Sequence, residues 1–292
     1  MAEPKKHLYG QSFALYGLAE YARALHDPQA QKEALELFRL IDRKAHDGTN
    51  GGYFEAFTQD WKQPIKNDLA LGLPQRKSMN THIHLLESLT ELYQVTGDKR
   101  VHDRAEEVFA ICLNKIVDPG QGYLRLYFTN DWKPAEQSHT SSYGHDIELS
   151  WLLEESAEAL GRANDPKLKK ATLALVDHTL RDGFDRERGG AYYEGPVGGP
   201  AKDKRMSWWV EAETLVGLLN AYQLTHKPEY WMRFEQQAHF VFDHFVDRQY
   251  GEWFAEIQPD GRITGDKTGE WKEPYHQSRA CMEVIRRLQE LR

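Results

Sequence analysis

The sequence predicts an all-α fold, an α/α toroid assembled from helical hairpins. Three observations lead there. One pattern returns along the chain at a period of roughly 60–75 residues, the signature of stacked supersecondary units. Within each period a mostly apolar helix precedes one with a single wet face. Each pair then ends in a turn built of Asp, Gly and aromatic residues.

The first unit opens with YGQSFALYGLAEYARAL, from Tyr9 to Leu25. A short HDPQ loop leads to QKEALELFRLIDRKA, where Ala34, Leu37, Phe38 and Ile41 fall at helical spacing with charges between them. DGTNGGYFEAFTQDW closes the unit. The same order returns as NTHIHLLESLTELYQVT, VHDRAEEVFAICLNKI and DPGQGYLRLYFTNDW. It returns again as YGHDIELSWLLEESAEALGR, DPKLKKATLALVDHTL and DRERGGAYYEG. A fourth unit runs SWWVEAETLVGLLNAYQLT, KPEYWMRFEQQAHFVFDHFV and DRQYGEWFAEIQPDG, and PYHQSRACMEVIRRLQEL ends the chain. The first helix of each unit is expected to be buried on both sides and the second on one. Two concentric layers follow, with five inner and four outer helices. The turns GGYFEAF, GGAYYEG and GEWFAEI alternate at period two and read as short hairpins.

Residues 1–292 form a single domain on this reading, with 40% hydrophobic and 12% aromatic content to fill its core. The net charge is −8 without a basic run, which argues against nucleic acid and acidic membrane surfaces as partners. MAEPKKHLYG lacks the apolar stretch of a signal peptide, and no run is long enough to span a bilayer. A cytoplasmic protein is expected. Cys112 and Cys281 lie in apolar helical patterns and are expected to be buried. Eight Trp and fourteen Tyr fit either a large core or a site where rings stack on sugar faces.

The chemistry gathers at the starts of inner helices. His84 stands in KSMNTHIHLLES, His145 in YGHDIELSW and His276 in EWKEPYHQSRACME, while a fourth inner helix starts with Trp208 and Trp209. If these helices point the same way, their N-termini meet at one end of a central cavity. Each histidine has a polar residue at i+3: Glu87, Glu148 and Arg279. A lone histidine at a helix start is usually structural; three at equivalent positions point to function. The helix dipole favours a neutral imidazole there, able to accept a proton. Two such bases across a cavity can act on opposite faces of a carbon next to a carbonyl, with no cofactor. A metal is not expected, because HExxH and Cys/His clusters are absent. His102, His178 and His239 fall on outer helices, as surface or packing residues.

KSMNTHIHLLES, SYGHDIELSWLL, WWVEAE and WKEPYHQSRA resemble the N-acylglucosamine 2-epimerase superfamily, most of all its cellobiose 2-epimerase branch. The resemblance covers the whole chain in order. It implies an (α/α)6 barrel, no cofactor and a small sugar, a β-1,4-linked disaccharide, as substrate. His145 and His276 resemble the two histidines that exchange the C2 proton, and Glu148 the acid that assists ring opening. His84 resembles the third active-site histidine, with Asn80 beside it. Trp208 and Trp271 resemble the rings that hold the sugar; Glu213 and Arg279 match as supporting residues. Two departures stand out. Glu211 occupies a position where the family usually has Gln, which would alter a sugar contact or a local pKa. The family also has six inner and six outer helices, so about one and a half hairpins are missing at the N-terminus on the repeat count. That part closes the ring and supplies an arginine. An open ring would favour a dimer through its exposed edge, or leave a monomer.

The sequence therefore points to epimerisation at C2 of a reducing-end glucose through an enediolate. An aldose–ketose isomerase shares that intermediate but reprotonates at C1. A glycoside hydrolase would need two carboxylates flanking the bond, whereas the converging residues are mostly histidines. An inactive, truncated sugar-binding form is the remaining alternative.

Overall fold

The structure is a computed structural model and describes residues 5–62, 77–135 and 139–292. The chain folds into two compact units. The first contains Met1–Asp118, Arg125–Ser138 and Leu152–Leu168; the second contains Pro119–Leu124, His139–Trp151 and Lys169–Arg292.

In the first unit β1 (Lys5–His7) leads into α1 (Leu8–Leu25), the chain turns back as α2 (Pro28–Ala45), and β2 (Ala56–Thr58) follows. β1 and β2 pair antiparallel with Lys6 opposite Phe57. β3 (Lys77–Ser78), α3 (Met79–Thr96), α4 (Lys99–Ile111) and β4 (Tyr127–Phe128) repeat that order, and β3 pairs with β4. β5 (Thr140–Ser142) starts α5 (Tyr143–Ala159), which belongs to the second unit as far as Trp151. α6 (Pro166–His178) and β6 (Glu194–Pro196) complete that repeat, with β5 paired to β6. β7 (Met206–Ser207), α7 (Trp208–Thr225), α8 (Pro228–Phe240) and β8 (Glu256–Ile257) form the next. β9 (Ile263–Thr264) pairs with β8, and α9 (Tyr275–Glu290) ends the chain. Five first helices and four second helices are thus present among the described residues, as the repeat count predicts.

Local chemistry explains the helix boundaries. Second helices begin with an Asp cap or a proline in the first turn. Asp27 accepts from Gln29 and Ala30 N–H, and Asp98 from Arg100 and Val101 N–H. Pro228 stands at the start of α8. The first helices α1, α3 and α7 stop at a residue in the left-handed region: His26, Gly97 and His226. Three second helices continue into a wide π-helical turn, Cys112–Ile116, Thr179–Gly183 and Val241–Phe245. The apolar pattern alone does not distinguish this from a longer α-helix.

The Gly-aromatic turns close the expected local hairpins with single antiparallel bridges, His46 to Tyr53, Phe184 to Ala191 and Val246 to Trp253, and their strands also pair at longer range. The strand in each pairs with the strand before the first helix of its own repeat, so every repeat closes on itself. Two of them also have a hairpin neighbour on the far side: GEWFAEI pairs with β9, and Glu194 of GGAYYEG bridges Asp203. The preceding loop makes each reversal. Asp47, Asp185 and Asp247 each accept two backbone N–H groups from the residues two and three ahead. Each also closes a backbone ring, as in Asp47 N–H to Gly52 O at 2.8 Å. That compact turn reverses the chain before the aromatic strand begins.

Burial follows the two-layer expectation in the middle of the series. α3 and α7 bury residues on every side, while α2 buries Ala34, Phe38 and Ile41 along one stripe. The outermost first helices correct it. α1 packs on α2 and α3, and α9 packs on α7. α1 exposes Tyr21 and Leu25, and α9 exposes Met282 and Ile285, because a helix at the end of a stack has fewer flanking neighbours. Cys281 also lies on that face and is exposed, contrary to expectation; Cys112 is buried.

One register recurs at the start of the first helices. The fourth residue of α3, α5 and α7 is a fully buried polar group: His82, Asp146 and Glu211. Each accepts a backbone N–H from the Gly-aromatic loop of the repeat before it. Tyr53 N–H donates to His82 Nε2 (3.0 Å), Leu124 N–H to Asp146 (2.8 Å) and Ala191 N–H to Glu211 (3.2 Å). An unpaired N–H buried in these loops would be costly, so these contacts fasten one repeat to the next. Helix partners support them: His178 Nδ1 lies 3.1 Å from Asp146, and Gln237 Nε2 donates to Glu211 at 2.6 Å. Burial pushes His82 down to about 4, so it is a neutral acceptor.

Burial likewise pushes Glu211 up, to about 8, against the two donors that favour its charge. A carboxyl raised above its unfolded value near 4.5 gives stability that is complete below pH 4.5 and is lost as pH rises toward 8. Glu211→Gln removes that titration. It should gain stability relative to the parent between pH 5 and pH 8, on the order of a few kcal/mol. Melting temperatures of both proteins at the two pH values provide the check, and a pH-independent difference would contradict the assignment.

Candidate active site

In the second unit the starts of α5, α7 and α9 bring five of the predicted residues together. Two positions beyond the fastening residue, on the opposite side of each helix, come Glu148 on α5 and Glu213 on α7. Both are completely buried. Two carboxylates taken out of water repel each other and need a cation. Arg279 on α9 supplies it: Nη2 donates to Glu148 Oε1 at 3.0 Å and to Glu213 Oε1 at 2.8 Å. Its guanidinium stacks over the Trp151 ring (4.7 Å) and the Tyr275 ring (4.3 Å), and Nη1 donates to the Tyr275 hydroxyl. Arg279, which the motifs suggest only as a supporting residue, is the electrostatic centre of the cluster.

Glu213 has donors on both oxygens. Trp151 Nε1–H donates to Oε2 at 3.0 Å, and His276 Nδ1 lies 2.7 Å from Oε1. Burial by itself would raise this carboxyl, but Arg279 and the His276 contact outweigh it and hold it below the usual range. Glu213 is therefore a carboxylate and accepts a hydrogen bond from His276 Nδ1–H. That assignment leaves Nε2 of the neutral ring as the basic nitrogen. The expected i+3 pairing of His276 with Arg279 is replaced by this cross-helix contact, because both side chains turn toward the same carboxylate.

His145 has a different support. Its Nδ1 lies 2.7 Å from the hydroxyl of Ser142, three residues earlier and on β5. The i+3 relation to Glu148 places both on α5, but the hydrogen bond to His145 runs to the strand. His145 and His276 pack against one indole, that of Trp209, with ring centroids 4.6 and 5.7 Å away. Tyr193 meets the same indole edge-on at 6.0 Å. Gly144 makes the approach possible: a Cβ there would lie 2.4 Å from the Trp209 ring.

Trp208, the tryptophan singled out from the motif, is 8% exposed and packs beneath the ammonium of Lys272. The ring at the histidines is its neighbour Trp209. Counting from the helix start carries that signal, since the first residues of α3, α5 and α7 (Met79, Tyr143, Trp208) are all buried. Trp271 is 55% exposed in the segment before α9. Asp146 and Glu211 serve the loops, so the departure at Glu211 alters a local pKa rather than this cluster. Trp151, Tyr275, Tyr193 and Ser142 are site neighbours that the motifs did not single out.

His84 and Asn80 belong to the first unit. His84 Nδ1 lies 3.2 Å from Glu87 Oε2, the predicted i+3 pair, with both side chains nearly buried. Tyr9 meets the His84 ring edge-on at 5.2 Å and Phe13 packs on it at 4.8 Å. Asn80 Oδ1 is buried without a hydrogen-bond donor among the described residues.

Glu148, Glu213 and His276 have the ligand types and spacing of a metal site. Arg279 Nη2 already lies on both carboxylates, so the positive charge of this cluster is a guanidinium. The arrangement offers two histidines flanking an indole, one backed by a carboxylate and one by a hydroxyl. Imidazoles held in this way can each accept or donate a proton.

A family profile described as N-acylglucosamine 2-epimerase (GlcNAc 2-epimerase) matches residues 1–280. The cellobiose 2-epimerase of Bacteroides fragilis is 37% identical over 298 residues, covering 97% of this chain and 72% of that protein. The cellobiose 2-epimerase of Dictyoglomus turgidum is 34% identical, covering 98% and 72%. The solved structure of cellobiose 2-epimerase from Spirochaeta thermophila superposes with a TM-score of 0.90 at 38% identity, covering 99% of this chain and 72% of that one. The fold class is the (α/α)6 type that the resemblance implies, in line with the α/α toroid read from the repeats.

Removing the central cation should expose the cost of the two carboxylates. Arg279→Met should lose about 3–5 kcal/mol of stability at pH 7. The deficit should shrink at pH 5, where a buried carboxyl without its cation takes up a proton. Urea unfolding of parent and variant at both pH values tests this.

Proposed function

The chain is a carbohydrate epimerase of the N-acylglucosamine 2-epimerase family, and from that premise we propose that it inverts C2 of the reducing-end glucose of a β-1,4-linked disaccharide such as cellobiose. The observation that carries this reading is the pair His145 and His276 on one indole, with unequal backing. His276 Nε2 takes the C2 proton of the open-chain aldose, and the electron pair moves into an enediolate. The new imidazolium donates its Nδ1–H to Glu213, whose carboxylate is already in place. His145, held at Nδ1 by Ser142, enters the step as the imidazolium, returns its Nε2 proton to C2 from the other face and ends neutral, which completes the inversion. In the reverse direction the two exchange roles. Glu148 handles the hydroxyl proton released when the ring opens. The relatives named as cellobiose 2-epimerases support the choice of substrate.

Incubation with cellobiose in D₂O tests the proposal. Deuterium at C2 and a mannose-ended disaccharide are expected. A ketose end would make the protein an aldose–ketose isomerase, and released glucose would make it a hydrolase. A folded protein with no exchange would overturn the catalytic reading. His276→Ala and His145→Ala should each slow exchange by at least about a hundredfold, and a His276→Ala protein with full exchange would remove that residue from the mechanism.

A further inference from the structure

Three loops of this chain share one backbone, and one of them carries an unexpected residue. In DGTNGG, DRERGG and DRQYGE the sixth residue is Gly52, Gly190 and Glu252. All three have positive φ: 70°, 90° and 68°. The carbonyl of each accepts the N–H of the loop aspartate, at 2.8, 3.0 and 2.9 Å. Glycine adopts this conformation freely, whereas a residue with a Cβ is strained in it. At positions 52 and 190 a Cβ would also strike neighbouring side chains. Position 252 keeps the strained conformation and holds a glutamate there.

The side chain of Glu252 has a specific use. Oε1 accepts from the buried ammonium of Lys272 and, at 2.7 Å, from Gln277 Nε2. Gln277 follows His276 and lies two residues before Arg279. The start of α9 needs such a tether, because it lacks those of the other first helices. Among the described residues α1, α3, α5 and α7 each follow directly on a paired strand, whereas α9 follows Pro274. The loop-to-helix N–H bond that fastens α3, α5 and α7 is replaced here by side chains. Lys267, bonded to Asp247 and to Gly251 O, pins the earlier part of the same segment.

We propose that Glu252 is a positioning residue, which clamps Lys272 and Gln277 so that α9 presents His276 to Glu213. Backbone strain persists where it serves a site, and here the strained residue reaches the helix that carries one of the two proposed bases. The inference rests on the proposed epimerisation for its kinetic readout, and has a second readout that does not.

The test compares Glu252→Gly, Glu252→Gln and Lys272→Met with the parent. Glu252→Gly keeps the backbone that two other loops use, so its melting temperature should stay close to the parent's or rise relative to Lys272→Met. Its kcat on cellobiose should nevertheless fall roughly ten- to a hundredfold with a smaller change in KM. Hydrogen–deuterium exchange of peptides covering residues 268–279 should speed up at least about tenfold as the tether is lost. Glu252→Gln keeps an acceptor for Gln277 and should recover part of both effects. Parent kcat together with parent exchange in Glu252→Gly would overturn the proposal, as would a fall in kcat with unchanged exchange. If the parent itself is inactive on aldoses, the epimerase reading fails, and exchange at 268–279 still decides the clamp. A Glu252→Gly protein that does not fold would leave Glu252→Gln and Lys272→Met to decide by the same two readouts.

Discussion

The second unit is organised around two carboxylates that cannot share a dry interior without a cation. Glu148 and Glu213 are fully buried on neighbouring helices, and one nitrogen of Arg279 donates to both. Much else follows from that contact. α9 must lie where its arginine reaches the pair, so its first turn is fixed relative to α5 and α7. Trp151 and Tyr275 must flank the guanidinium, and Glu213 must stay ionised. An ionised Glu213 in turn fixes the tautomer of His276, which decides the nitrogen available for chemistry. Stability and reactivity rest on the same ion cluster, as is common where burial and specific charges coincide.

A division of labour along the helix explains how a plain repeat supports such a site. Successive residues in an α-helix are turned by about 100°, so positions four and six from the helix start face nearly opposite ways. Position four holds His82, Asp146 and Glu211, each taking a loop N–H from the previous repeat. Position six holds His84, Glu148 and Glu213. The first set takes up loop N–H groups, and the second is free of that duty. Position four meets a neighbouring loop, and in the second unit position six holds the buried carboxylates that Arg279 joins.

Much of this was legible in the sequence, for definite reasons. The repeat, the alternation of helix types and the helix ends follow from apolar periodicity, Asp caps and Gly or His stops, all local signals. His145, His276, Glu148, Glu213 and Arg279 were legible because their motifs recur at helix starts. The rest depended on contacts between distant segments. Ser142 and Trp151 do not advertise their partners, since the hydrogen bonds that define them depend on side-chain direction. Trp208 and Trp209 differ by one residue, and a helix turns that one step into the difference between core and site. The burial of Cys281 and of both faces of α1 and α9 was overestimated because periodicity reports an apolar stripe, not whether a neighbour covers it. The strain at Glu252 was hidden because φ is invisible in a string of letters, although comparison of the three loops marks the position.

The same cluster also argues about which chemistry this architecture can perform. An α/α scaffold hosts unrelated reactions, so the fold leaves the choice to the site. Hydrolysis of a glycosidic bond needs a carboxyl that enters the reaction protonated and faces the leaving oxygen. Glu213 is held ionised by Arg279 and His276, and Glu148 gives an oxygen to the same guanidinium. The proton-carrying groups beside the Trp209 indole are imidazoles. Imidazoles suit the exchange of a carbon-bound proton near neutral pH, because each ring can pass between acceptor and donor without large changes in its surroundings. The two rings are backed unequally, His276 by a carboxylate and His145 by a hydroxyl, and both are held at Nδ1 beside one indole.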